Sequence, residues 1–316
     1  MRATNFMPSA PPVFDLEWAS ASGTHELLGE AATWSVAEQA LYWIAIRDKA
    51  LLRLDWKTGA VRRYALDQLV GGIVLEQSGT VLLALREAIW RLDPRTGDCA
   101  HVLTLESGLP ENRLNEFKCD PLGRLWCGSM WDFGEQVRGK LYVVDAAWSV
   151  TTVRSEVCIP NSLAFSIVMD RVYFADTDTG AIEYARLSTD VAAHPLSWTT
   201  YSPAGAVPGR PDGAALDAEG YLWTARPRGG CVARIAPDGT VDRILPLPVS
   251  HATSCAFGGP DLDTLFVTTM RQRLTPAEIA AQPLAGHLLC AKPGVCGVPD
   301  SLFRAAGPLT APIPAR

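Results

Sequence analysis

The chain has 316 residues, 48% hydrophobic and 20% charged, with a formal net charge of −6. This is the composition of an ordinary soluble globular protein with enough chain for an extensive core, and the acidic balance argues against a nucleic-acid partner, which needs clustered Lys and Arg. No apolar run approaches transmembrane length, which argues against a membrane partner as well.

Residues 1–12 lack the charged-then-apolar layout of a signal peptide, so the cytoplasm is the default location. Residues 1–26 read as an N-terminal extension ending in a closing strand. Residues 41–59 then read as a strand, a turn at Arg47-Asp48-Lys49, a second strand through Leu52-Arg53-Leu54-Asp55, and the turn Lys57-Thr58-Gly59. The same plan recurs in 81–97, 125–145, 172–187, 222–239 and 265–291, giving six copies about 40 to 50 residues apart. A unit of short strands at that period is a propeller blade, which buries its two faces only against its neighbours. A two-sheet sandwich of this length would be unusual. The chain is therefore expected to be all-β, a six-bladed β-propeller over 27–303 in a single domain. The best helical stretch, 276–281, lies inside an insertion of the sixth unit, and the Ala- and Pro-rich tail 304–316 is expected to be irregular. The eight cysteines are scattered without a close CxxC pair and read as small buried hydrophobes, with a Cys119–Cys127 contact left open.

Four polar residues, Glu30, Asn115, Asn161 and Asp212, each lie roughly ten residues ahead of a strand signal in four different copies. A ring of repeats brings such positions to one axis, where four oxygen-bearing side chains form a site for one divalent cation. Calcium, magnesium, manganese, iron(II) and zinc all remain open as its identity. Each residue has a plainer reading, a solvated loop Glu or a turn-capping Asn or Asp, and the common phase is what sets the group apart.

Several segments can be compared with a known family. Leu28-Gly29-Glu30 before Trp34, Asn112-Arg113-Leu114-Asn115 before Asp120-Pro121-Leu122-Gly123-Arg124-Leu125-Trp126, Ile159-Pro160-Asn161, Pro211-Asp212-Gly213, and 253–261 occur in this order. Together they resemble the regucalcin and gluconolactonase family of six-bladed propellers, also called the senescence-marker-protein family. The resemblance implies a divalent cation held by Glu30, Asn161 and Asp212, and a substrate-facing Arg113 and Asn115. It also implies a small-molecule substrate, a sugar lactone opened to its hydroxy acid, and for some members calcium binding. Chemistry agrees, since a lactone carbonyl is a poor electrophile for neutral water and a divalent cation activates both reactants. Asp212 is the expected base, with Glu116 as the other nearby catalytic carboxylate.

The chain departs from the family at Ala31-Ala32, where a Gly-Pro is usual, and at Glu116-Phe117, where an Asp-Gly is usual. Ser162 replaces a Gly, which is expected to exclude left-handed backbone there. Strand direction assigns to the cation's face the loops at 47–49, 131–138, 177–179, 226–228 and 271–287. Trp131 would then offer a flat apolar face to a sugar ring. Arg226, Arg228, Arg271 and Arg273 would rim the mouth, and either an anionic substrate or ordinary surface charge accounts for them. Two other functions remain open: hydrolysis of an organophosphate-type or other ester on the same site, and a non-catalytic calcium- or ligand-binding propeller.

Overall fold

The computed structural model describes residues 11–134 and 136–306, so the tail beyond Ala306 and the first ten residues lie outside the described residues. Its strands form six four-stranded antiparallel sheets, each one blade. Blade one runs Gly29–Ser35, Ala40–Ala45, Ala50–Asp55, Val61–Ala65, and each later blade takes the next four strands in order. Blade six differs: Ala252–Gly258, Thr264–Thr269 and His287–Ala291 are completed by the N-terminal strand Ala19–His25, which pairs antiparallel to His287–Ala291.

The first strands of the blades, Gly29–Ser35, Val70–Leu75, Asn112–Cys119, Pro160–Ser166, Ala214–Leu216 and Ala252–Gly258, contact one another in a closed ring and line the axis. Side chains alternate between the faces of a strand, so every blade presents an apolar set to the neighbour on each side. Six separate hydrophobic clusters result, each between two adjacent blades. Trp34, Leu41 and Trp43 of blade one, for example, meet Phe266 and Leu288 of blade six. The inner strands approach so closely that a Cβ on Gly71 would lie 1.9 Å from the Leu114 carbonyl oxygen, which only glycine avoids.

The helix occurs at Pro276–Ala281, with Thr275 and Glu278 forming a capping box and proline in the first turn. Cys119 and Cys127 are both buried free thiols. Among the described residues, no helix is long and apolar enough to cross a membrane.

In five of the six inner strands the pairing register breaks near the same end, between Glu30 and Thr33, Val70 and Ile73, Leu114 and Phe117, Asn161 and Ala164, and Ala252 and Ser254. A bulge twists the strand and re-aims its side chains. These breaks gather at the mouth of the axis, and there the polar residues of the sequence converge.

Candidate functional site

Glu30, Asn161 and Asp212 enter one cavity of about 370 Å³ together with Arg113 and Asn115. Glu30 and Asn161 occupy the last regular position before their bulges, and Asn115 sits one residue later, inside its own. Asp212 precedes its strand and is fixed by its backbone N–H on the Ala225 carbonyl at 3.0 Å. Ser162 adopts φ +56°, so the expected exclusion of left-handed backbone there is wrong. The conformation is held by a hydrogen bond of 2.5 Å from Ser162 Oγ to the Asp212 carbonyl, a contact across fifty residues that replaces what glycine would give freely.

The orientation of Asn161 follows from its partners. Its Nδ2 donates to Thr177 Oγ1 at 2.8 Å, and the Thr177 hydroxyl donates in turn to the Pro211 carbonyl at 2.8 Å. The Asn161 Oδ1 is thereby left as an acceptor, met by Asn115 Nδ2 at 3.3 Å. Asn115 Oδ1 in turn accepts from Arg113 at 2.5 Å, and Arg113 Nε donates to Asp132 at 2.8 Å. Asp132 also holds Arg47 at 3.1 Å, so one carboxylate positions two guanidinium groups at the cavity wall.

Electrostatics single out the pair Glu30 and Asp212. Burial pushes Glu30 up to about 7. Burial and then the charges of Glu30 and Glu116 raise Asp212 well above the ordinary carboxylate range. The two buried carboxyl groups line the same cavity and repel each other when both are charged, so one holds a proton unless a cation neutralises them. Two carboxylates with the Asn161 amide oxygen make an all-oxygen donor set suited to a hard divalent cation, and the residues fit that group. Among the described residues, three or more His, Cys, Asp or Glu side chains gather nowhere at one point.

Three expected site residues lie elsewhere. Arg226 is buried and its guanidinium donates to the carbonyls of Val207, Pro208 and Gly209 at 3.0–3.2 Å, while its neighbours Pro227 and Arg228 line the cavity. Trp131 turns away and meets Phe133 edge-to-face with ring centroids 5.8 Å apart, because Met130 and Asp132 on either side take the cavity face of the same strand end. Glu116 does not line the cavity: the bulge turns it along the axis, where it accepts the Leu163 N–H at 3.0 Å. The expected catalytic role of Glu116 has no support in this placement. Arg228 and Arg273 of the expected rim do line the cavity, and Arg271 does not. Asp132, Thr177 and Arg210 were not singled out from the sequence, and the signal for the first two was their place in turns already assigned to this face.

A family model described as SMP-30/Gluconolactonase/LRE-like region matches residues 28–271. A 6-deoxy-6-sulfogluconolactonase of Pseudomonas putida is 35% identical over 277 residues, 88% of this chain and 95% of that one. A pentonolactonase of Haloferax volcanii is 34% identical over 245 residues, 77% of this chain and 81% of its own. The crystal structure of a calcium-binding protein, regucalcin, from Agrobacterium tumefaciens has a TM-score of 0.85 and 30% identity, covering 93% of this chain and 99% of that one.

Proposed function

The chain belongs to the SMP-30/gluconolactonase/LRE-like family, and from that premise we propose that it hydrolyses a sugar lactone to the hydroxy acid with the help of one divalent cation. The observation that carries this reading is the pair of buried carboxylates Glu30 and Asp212 beside Asn161, in the same cavity as the Arg113–Asn115 pair. Glu30, Asn161 and Asp212 would hold the cation. The chemistry a cation supplies when bound is polarisation of the lactone carbonyl and acidification of a neighbouring water.

The chain's own residues do the rest. Arg113 would present its remaining guanidinium N–H to an oxygen of the lactone, Asp132 and the Asn115 Oδ1 keep Arg113 in place, and Asn115 is itself fixed by donating to the Pro160 carbonyl and Asn161 Oδ1. Asp212 would be ionised beside the cation and, as a carboxylate lining the cavity, would take a proton from the attacking water. The new C–O bond forms at the carbonyl carbon, the ring C–O bond breaks, and the proton held by Asp212 passes to the departing ring oxygen. Water plus lactone thus balances to one hydroxy acid.

The test is Asp212→Ala, studied after chelation and reloading with calcium, magnesium, manganese or zinc. Calorimetry should show no tight cation binding, and a pH-indicator assay on aldonolactones should show no hydrolysis, while the unfolding transition persists. Lactone hydrolysis at the wild-type rate by this variant would overturn the assignment.

A further inference from the structure

Five arginines line the cavity, and their partners divide them into two groups. Arg47 and Arg113 are bound by Asp132, and Arg210 is bound by Asp178 at 3.0 Å. Among the described residues, no carboxylate lies within ion-pair distance of Arg228 or Arg273. Both stand on the wall built by blades five and six, and His251 lines the same cavity. Burial first, and then the charges of Arg228 and Arg273, hold His251 below its ordinary value. Its Nδ1 is engaged by Ser250 Oγ at 2.7 Å, leaving Nε2 for a ligand.

Both guanidinium groups are exposed and solvated, so they are free to meet an anionic group of a ligand that enters the cavity. The backbone adds a second sign. Arg228 sits at φ +63°, a conformation that favours glycine, although glycines follow it at 229 and 230. This backbone conformation fixes where the Arg228 side chain leaves the turn, on the cavity wall.

We infer that Arg228, Arg273 and His251 form an anion subsite, so that the substrate is a lactone bearing an acidic oxyanion substituent remote from its ester. The inference rests on the lactonase reading and deepens it. Arg113 and Asn115 stand at the start of the blade-three inner strand, so the substrate would span the axis, its ester toward Glu30 and Asp212 and its charged end on the arginine wall. Guanidinium groups recognise planar or tetrahedral oxyanions by paired N–H donors, so carboxylate, sulfonate and phosphate ester share the chemistry.

The experiment compares the wild type with Arg228→Gln/Arg273→Gln on four probes. These are D-glucono-1,5-lactone as the neutral reference and lactones carrying a carboxylate, a 6-sulfonate or a 6-phosphate. For at least one charged probe, the double variant should raise KM by roughly ten-fold more than it does for the neutral probe. High salt should narrow that gap, Arg228→Lys/Arg273→Lys should restore part of it, and the charged probe most affected identifies the substituent. Equal factors on charged and neutral lactones would overturn the subsite. Should the wild type hydrolyse none of the four, calorimetry with glucarate and gluconate separates the two ideas. Stronger binding of the doubly charged acid that the Gln variant loses upholds the subsite without the reaction, and no preference overturns it.

Discussion

Ala31 and Ser162 hold the same left-handed backbone, φ +51° and +56°, at matching bulges in blades one and four. Ser162 offsets the strain with its bond to the Asp212 carbonyl, whereas Ala31 has no polar group to spend on it. Ala31→Gly should therefore stabilise the protein by about 0.5–1 kcal/mol, the relief of strain exceeding the entropy glycine adds to the unfolded chain. The denaturant midpoint measures this, and an unchanged or lower midpoint would show that the strain is relaxed elsewhere. Such positions also show where the sequence stops being legible. The spacing of Glu30, Asn161 and Asp212 brings them to one axis because strand period and repeat length are both local properties. The Ser162 conformation depends on a partner fifty residues away, and nothing near Ser162 announces it. Arg226 and Arg228 lie in one turn, where the strand's alternation ends, so only the folded chain decides that one guanidinium is spent on carbonyls and the other faces the cavity.

At the scale of elements, blades three and five share a device. Asp120 and Asp217 each accept backbone N–H groups two and four residues on, and each accepts the indole N–H of the tryptophan six residues on, Trp126 or Trp223, at 2.9 Å. The turn between the first two strands is thereby tied to the core residue of the second. Asp217 also binds the buried Arg234 at 2.7 Å. Asp217→Ala should destabilise the fold by about 3 kcal/mol or more, since it leaves a buried guanidinium, an indole N–H and two backbone N–H groups short of an acceptor. Because this turn lies at the end of the blade away from the cavity, lactone KM should stay unchanged when measured well below the melting temperature. A changed KM with intact stability would reverse the argument. The six units were readable from a strand–turn–strand plan, with turns such as Arg47-Asp48-Lys49 and Lys57-Thr58-Gly59 between the apolar runs. The helix at 276–281 was readable for the same reason, since Thr275, Pro276 and Glu278 write its start into the sequence. The bulges were not, because inserting one residue leaves the apolar pattern on either side intact.

The whole molecule encloses a column of charge. Below Glu30 and Asp212 lies Glu116, then Lys118, whose Nζ donates to Asp300 at 3.1 Å. Asp300 belongs to the C-terminal segment that crosses beneath the ring, bridging Gly297 to Asp217 of blade five and Phe303 to Glu76 of blade two. Burial raises Glu116 from 4.5 to about 8, partly opposed by Lys118. The folded state thus binds this proton more tightly than the unfolded chain. The stability it contributes is complete below about 4.5 and is lost as pH rises through about 8. Glu116→Gln keeps an oxygen for the Leu163 N–H but does not titrate, so its stability relative to wild type should improve from pH 5 to pH 9. Denaturation curves at the two pH values measure the difference. A gap that fails to widen would mean that the Lys118 charge already compensates the carboxylate.

The first strand made on the ribosome, Ala19–His25, pairs with the last, His287–Ala291. At roughly 5–20 residues per second, the wait between His25 and its partner His287 is on the order of ten to fifty seconds. Throughout that interval Ala19–His25 has no partner strand, the ring stands open, and the face of blade one that later buries Trp34 against Phe266 is uncovered. A ribosome stalled before residue 287 therefore holds an open ring with an unpaired N-terminal strand, and a quality-control protease or a holding chaperone would meet this protein there.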